Sequence, residues 1–375
     1  MKTKKKIRWG QYIGGLAFML LGACCGVLMV RTMEENSGSL FTLAALFVVM
    51  YAAMILQIAI HEAGHLVFGL LSGYRFCSYR IFSLMWLRQD KKICFRRFSL
   101  AGTGGQCLME PPELADGEIP VVLYNLGGSL MNVIVSCVFL LLWWVLGRSS
   151  LLASVFLMAA LVGFAFAAMN GIPMRMGAVD NDGYNALVLK RDKAALRAFW
   201  IQMKVSAETA RGKRLREMPA EWFAVPTDEA MKNSMMATLG VFACNRLMDE
   251  QRFTEADKLM ERMLTNGSGM AGLYRGLMIC DRIYVELIGE ARRELIAGWL
   301  GKEQRKLMKS MKTYPSVIRT EYALALLADR DSAKAEKIMA RFEKCTRHYP
   351  YPGDIASERE LLEIAAQRAY EPAPQ

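Results

Sequence analysis

The strongest constraint on this chain is the placement of its uncharged apolar runs. About 18–20 such residues are long enough to cross the hydrocarbon core of a bilayer. Four segments qualify or come close: about Tyr12 to Val30, Leu40 to Ile60, about Val121 to Leu146, and Leu151 to Met169. The second carries no charge and continues directly into His61. Mean hydropathy is positive at +0.18, but the apolar runs sit in the first half and the Lys, Arg and Glu residues dominate the second. The expected fold is therefore mainly α. It comprises a polytopic membrane domain over residues 1–200, with about four transmembrane helices and a small β-hairpin element, then a linker over 201–226. An all-α, tetratricopeptide-like domain of helical hairpins is expected over 227–375.

Charge orients the spans. Lys2, Lys4, Lys5, Lys6 and Arg8 precede the first run, and the link between runs two and three carries Arg75, Arg80, Arg88, Lys91, Lys92, Arg96 and Arg97. Basic residues beside spans stay on the cytosolic side. Both the amino terminus and the helical half are thus expected in the cytosol, with the chain multi-pass in the cell membrane. The net charge of +11 reads as topology and contact with anionic lipid, because no nucleic-acid-binding motif accompanies it. The nine cysteines are odd in number, lack a C-x-x-C pair and include several in apolar runs. This excludes a disulfide framework or zinc ribbon and points to reduced thiols. Leu21-Gly22-Ala23-Cys24 has the look of a lipoprotein cleavage box, but the apolar run continues through Val30. An uncleaved span is therefore the expectation.

His61-Glu62-Ala63-Gly64-His65 fits H-E-x-x-H. Residues four apart share a helix face, so both imidazoles reach one metal ion. The intervening Glu62 is placed to take a proton from a metal-activated water. Only one other histidine exists, His348, far along the chain. Ionisable residues at the end of an apolar span are costly and carry function by default. A catalytic zinc wants a third protein ligand. It is expected after run four, where Asn170-Gly171-Ile172-Pro173 ends a helix and Asp180-Asn181-Asp182-Gly183 follows.

Three features together resemble the site-2 protease family of intramembrane zinc metallopeptidases: H-E-x-x-H at a span end, Asn170-x-x-Pro173 followed by Asp182-Gly183, and Gly128-Ser129-Leu130-Met131-Asn132 in the third run. The last is similar to the family's G-P-x-x-N, with Ser129 where proline is usual. The resemblance covers about Leu40 to Asn185. It implies one zinc ion held by His61, His65 and Asp182, with Glu62 as general base. It places Asn132 near the site, where it is expected to meet the backbone of an unwound substrate, and gives Asn170 and Pro173 supporting roles. The implied activity is hydrolysis of peptide bonds in the membrane-spanning helices of other proteins, as in regulated intramembrane proteolysis. The gap between Pro173 and Asp182 is longer than the family's, and Asp180 competes as a ligand. Gly183 favours Asp182.

Between runs two and three, Tyr79 to Leu84 and Ile93 to Phe98 lean toward strands about Gln89-Asp90-Lys91-Lys92, a hairpin pattern followed by a turn at Gly102, Gly104 and Gly105. It reads either as a connector lying on lipid headgroups or as an edge strand that pairs with substrate. The helical half reads as a solvated cap or as a platform for a cytosolic protein partner. The competing function is an inert membrane scaffold that binds helices; a transporter would call for an internal repeat, which is absent.

Overall fold

The computed structural model describes residues 9–35, 39–89, 92–99, 103–147, 150–176 and 179–370. Lys2, Lys4, Lys5, Lys6, Arg8, Asp90, Lys91 and Gly102, which entered the reading above, lie outside them. The chain forms two compact units: residues 1–81 with 104–196, and residues 82–103 with 197–375.

The first unit contains helices α1 (Trp9–Glu35), α2 (Leu40–Leu71), α3 (Val121–Val145), α4 (Leu151–Gly171) and α5 (Asp182–Arg191). Four strands separate α2 from α3: β1 (Arg75–Ile81), β2 (Leu84–Gln89), β3 (Lys92–Arg97) and β4 (Gly105–Glu110). Of these, β1 and β4 belong to the first unit and pair antiparallel, Tyr79 opposite Cys107. A two-residue pair, β5 (Arg175–Met176) and β6 (Val179–Asp180), precedes α5. Three helices, α2, α3 and α4, are long and apolar enough to cross a membrane. The first expected span is helical in α1, where the apolar stretch among the residues searched is the shorter Met19–Thr32.

Burial in this unit is inverted relative to a water-soluble bundle. Phe41 is 83% exposed and Val48 70%, whereas Gln57, Asn132 and Ser136 are at 0%. Apolar faces turned outward and polar groups turned inward suit helices solvated by hydrocarbon, consistent with a membrane protein. The core joins Cys25 and Met29 of α1, Leu46 and Ala53 of α2, and Met158, Ala159 and Val162 of α4. Small residues bring α2 and α3 together. A Cβ on Gly64 would lie 2.3 Å from the Gly127 carbonyl oxygen, and one on Gly127 would lie 2.8 Å from that of Gly64. Packing of this kind is the main attraction between helices that share a lipid environment.

The second unit holds the β2–β3 hairpin and the helical half. The expected hairpin exists, but its strands differ. The run Tyr79 to Leu84 is broken at Phe82, whose φ is +50°. The partner of β3 is instead Leu84–Gln89, with Trp86 opposite Phe95. One hairpin face buries Met85 and Leu87 with Ala210, and Phe98 and Tyr351 pack against them. The helices are α6 (Lys193–Ala210), α7 (Ser234–Asp249), α8 (Phe253–Thr265), α9 (Gly272–Ile288), α10 (Arg293–Trp299), α11 (Lys302–Ser310), α12 (Pro315–Ala323), α13 (Ser332–Thr346) and α14 (Pro352–Tyr370). The stretch from Arg293 to Ser310 forms two helices, divided at Gly301. Residues 201–226 are folded and not a free linker. The helix α6 runs to Ala210, and Arg214, Met218 and Phe223 are buried beyond it. Met218 and Phe223 supply burial that composition alone does not reveal.

Buried ion pairs knit this unit. Arg319, 1% exposed, pairs with Asp281 and with Glu358 at 3.1 Å. Arg214 pairs with Asp249 at 2.6 Å and with Glu360. Burial pushes Asp354 and Glu358 up to about 7, against about 4 in an unfolded chain. The folded state thus binds protons that the unfolded state has released, so stability falls as pH rises from about 4 to about 7. Asp354→Asn removes one of these two titrations. Thermal melting of the variant across that window should depend on pH about half as steeply as the wild type through these groups.

Candidate metal centre

The helix α2 carries His61 and His65 on its inward face, both 8% exposed, with their Nε2 atoms 3.2 Å apart and ring planes at 84°. Asp182, the first residue of α5, lies 121 positions along the chain. Its Oδ2 is 3.0 Å from the Nε2 of His61 and 3.4 Å from that of His65. Ligand bonds of ~2.0–2.1 Å in tetrahedral array put ligand atoms about 3.3 Å apart, so the three atoms have the separations of one zinc coordination shell. Among the described residues, this is the cluster of at least three His, Cys, Asp or Glu side chains able to hold a metal ion. Asp180 is not part of it and ends β6, opposite Arg175.

The tautomers follow from the outer partners. Asn132 donates its amide hydrogens to the Gln57 carbonyl at 3.0 Å and to Gln57 Oε1 at 2.7 Å. Its Oδ1 therefore faces His61 Nδ1, at 2.9 Å, and accepts the proton there. His65 Nδ1 lies 2.9 Å from the Tyr124 carbonyl, which can only accept. Each Nε2 thus presents a lone pair toward the Asp182 carboxylate. Three lone pairs at this range repel one another unless a positive charge, a proton or a metal ion, sits among them. The donor set fits zinc, because outer hydrogen bonds orient metal-binding imidazoles in this way.

Asn132 is fully buried, with carbonyl and amide all engaged. Its place is behind His61, which it orients. Gln57, one turn before His61, continues the chain by donating to the Ala159 carbonyl at 3.0 Å. Gly128 gives the imidazole room, since a Cβ there would lie 2.5–2.6 Å from the His61 ring.

The carboxylate is delivered by a clasp. Pro173 stops α4 by forcing Ile172 into extended backbone, and Asn170 donates to the Phe166 carbonyl one turn back. The clasp itself is Asn181. It donates to the Met169 and Ile172 carbonyls at 2.7 and 2.6 Å and accepts from the Met174 and Tyr184 amides at 2.9 and 3.0 Å. This caps α5 and ties its start to the end of α4. Gly183 permits the approach, because a Cβ would stand 2.1 Å from the Gly171 carbonyl oxygen.

Glu62 turns toward β4. A Cβ on Gly105 would meet its Cγ and Oε1 at 2.6 Å, and the Cys107 backbone hydrogen-bonds to its carboxylate. Tyr124 braces the same region, stacking on Tyr74 with centroids 4.6 Å apart and donating to the Cys107 carbonyl at 3.2 Å.

The resemblance motifs do not point to Gln57, Asn181 or the Tyr124 carbonyl. A signal for the first was present: it is the one amide in the run from Leu40 to Ile60. Asn181 sits between two aspartates and reads as a loop residue. The Tyr124 contribution is backbone and has no sequence signal. No protein-family model, no curated protein and no solved structure matches this chain.

Cutting the chain behind His61 should weaken metal binding without removing a ligand. Asn132→Leu is expected to lower zinc affinity about 10–100-fold, measured by competition with a chromogenic chelator.

Proposed function

We propose that this protein is a zinc-dependent intramembrane endopeptidase of the site-2 protease kind, hydrolysing peptide bonds in the membrane-spanning helices of substrate proteins. One observation carries the reading: Asp182, distant in sequence, meets His61 and His65 at ligand spacing, with both imidazoles oriented through their Nδ1 atoms. An inert scaffold has no use for such a donor set. In this reading His61, His65 and Asp182 hold one zinc ion.

When bound, zinc supplies a water of pKa about 7 and polarises a substrate carbonyl. Glu62 would take the proton from such a water and pass it to the departing amine, the usual double duty of a general base. Its backbone partner on β4 orients it for the task. A substrate helix must unwind before its carbonyls become available, since in the helix they are already hydrogen-bonded. The charge pattern places the His61 end of α2 on the cytosolic side, where water has a short path. Cleavage is therefore expected near the cytosolic edge of the substrate's span.

Two variants test the proposal. Glu62→Gln should reduce cleavage of a single-span reporter by on the order of 10²–10⁴-fold while zinc per chain, measured by atomic emission, stays at the wild-type level. Asp182→Ala should lose both zinc and cleavage. Undiminished processing by Glu62→Gln would refute the enzyme reading in favour of a scaffold. Full zinc retention by Asp182→Ala would refute the ligand assignment.

A further inference from the structure

A groove of about 840 Å³ lies between α9 and α11 in the second unit, with the end of α10 beside them. One face of each helix lines it, at positions 272, 275, 276 and 279 on α9 and 303, 306, 307 and 310 on α11. Both sets follow the i, i+3, i+4, i+7 spacing, so each wall is two turns long, about 10–11 Å. The two helices are locked together. Gln304 donates to the Gly276 carbonyl at 2.9 Å, and a Cβ on Gly276 would lie 2.3 Å from Leu307 Cδ1. The groove is therefore preformed, which spares a ligand the cost of ordering it.

Its lining says what it takes. Leu273, Ile279, Leu307 and Trp299 make it apolar, and tryptophan is a frequent anchor at protein interfaces. Gly298 also lines it. This residue lies inside α10, where glycine is a poor helix former, and a Cβ there would meet nothing within 4 Å. No neighbour in the chain calls for glycine at that point, and the open space is room for another backbone. Basic side chains stand on both walls, Arg275 on α9 and Lys302 and Lys306 on α11, against Glu303 as the one acid of the lining. Lys302 and Lys306 have no ion-pair or hydrogen-bond partner among the described residues.

We propose that this groove docks an acidic amphipathic helix of a partner protein. The apolar face of such a helix, at i, i+3, i+4 and i+7, covers two turns and matches the length of the walls. Acidic residues on either side of that face meet the cations of both walls. A lipid gathers its charge in a headgroup at one end, and an extended peptide needs an open strand edge, which two helical walls do not offer.

The test uses the full chain in phosphatidylcholine nanodiscs and a fluorescein-labelled peptide of about five helical turns. The peptide carries Leu at those spacings, Glu on both flanks and Ala elsewhere. A twin with Lys in place of Glu and a shuffled peptide of the same composition are the controls, and empty nanodiscs correct for binding to lipid. Fluorescence anisotropy is expected to show saturable binding of the acidic helix, one per chain and weakened by added salt, with neither control bound. Arg275→Glu and Lys306→Glu, one on each wall, should each weaken it about three- to tenfold. Gly298→Leu, which puts a side chain into the open groove, should abolish saturable binding while thermal melting is not lowered. No saturable binding to the wild type, equal binding of either control, or unchanged affinity in all three variants would overturn the proposal. Displacement of the peptide by phosphatidylglycerol vesicles would overturn it in favour of an anionic lipid.

Discussion

Two imidazole nitrogens and a carboxylate oxygen, within 3.4 Å of one another, form an arrangement that no chain holds without compensation. Each is an electron-pair donor, and both imidazoles are withdrawn from water in a span that is otherwise apolar. The surrounding structure can be understood as meeting that demand. The Nδ1 protons must go to Asn132 and to the Tyr124 carbonyl. That requires α3 to lie against α2 at backbone distance, which in turn requires glycine at positions 64, 127 and 128. The carboxylate must arrive at the same depth, which requires α4 to end abruptly and α5 to begin within hydrogen-bonding reach of that end.

The two units balance charge against burial in opposite ways. In the first, Gln57, Asn132 and His61 are buried polar side chains that find partners within the protein, because hydrocarbon offers none. They form one continuous chain of donors and acceptors from the Ala159 carbonyl to His61 Nδ1. In the second, the core is rich in methionine and leucine, and buried arginines are held by paired carboxylates. That unit also takes in the β2–β3 hairpin, whose sequence lies between two helices of the other unit.

Much of the candidate site was legible in the residues. The H-E-x-x-H spacing states its own geometry, because a helix brings positions four apart to one face whatever surrounds it. Asp182 was legible through Gly183, and the structure explains that glycine by the 2.1 Å approach to the Gly171 carbonyl that a Cβ would make. The apolar runs marked α2, α3 and α4 because hydropathy over about 20 residues is a property of the residues themselves. The break at Gly301 and the fold of residues 201–226 were less visible. Both depend on which neighbours bury Met218, Phe223 and the sides of α10 and α11, and periodicity in one segment does not name those neighbours.

The sequence by itself determined three long apolar helices, α2, α3 and α4, the facing pair of histidines and the candidates for a third ligand, because these follow from local composition and helix pitch. Only the tertiary structure decided between Asp180 and Asp182 as the group beside the histidines. It also decided that Asn132 supports His61 from behind, and that Gln57 and Asn181 are the residues that hold the parts together. Those outcomes depend on hydrogen bonds spanning up to 102 positions. A bond of that kind has direction and needs two partners, and a linear string of residues supplies only one partner at a time.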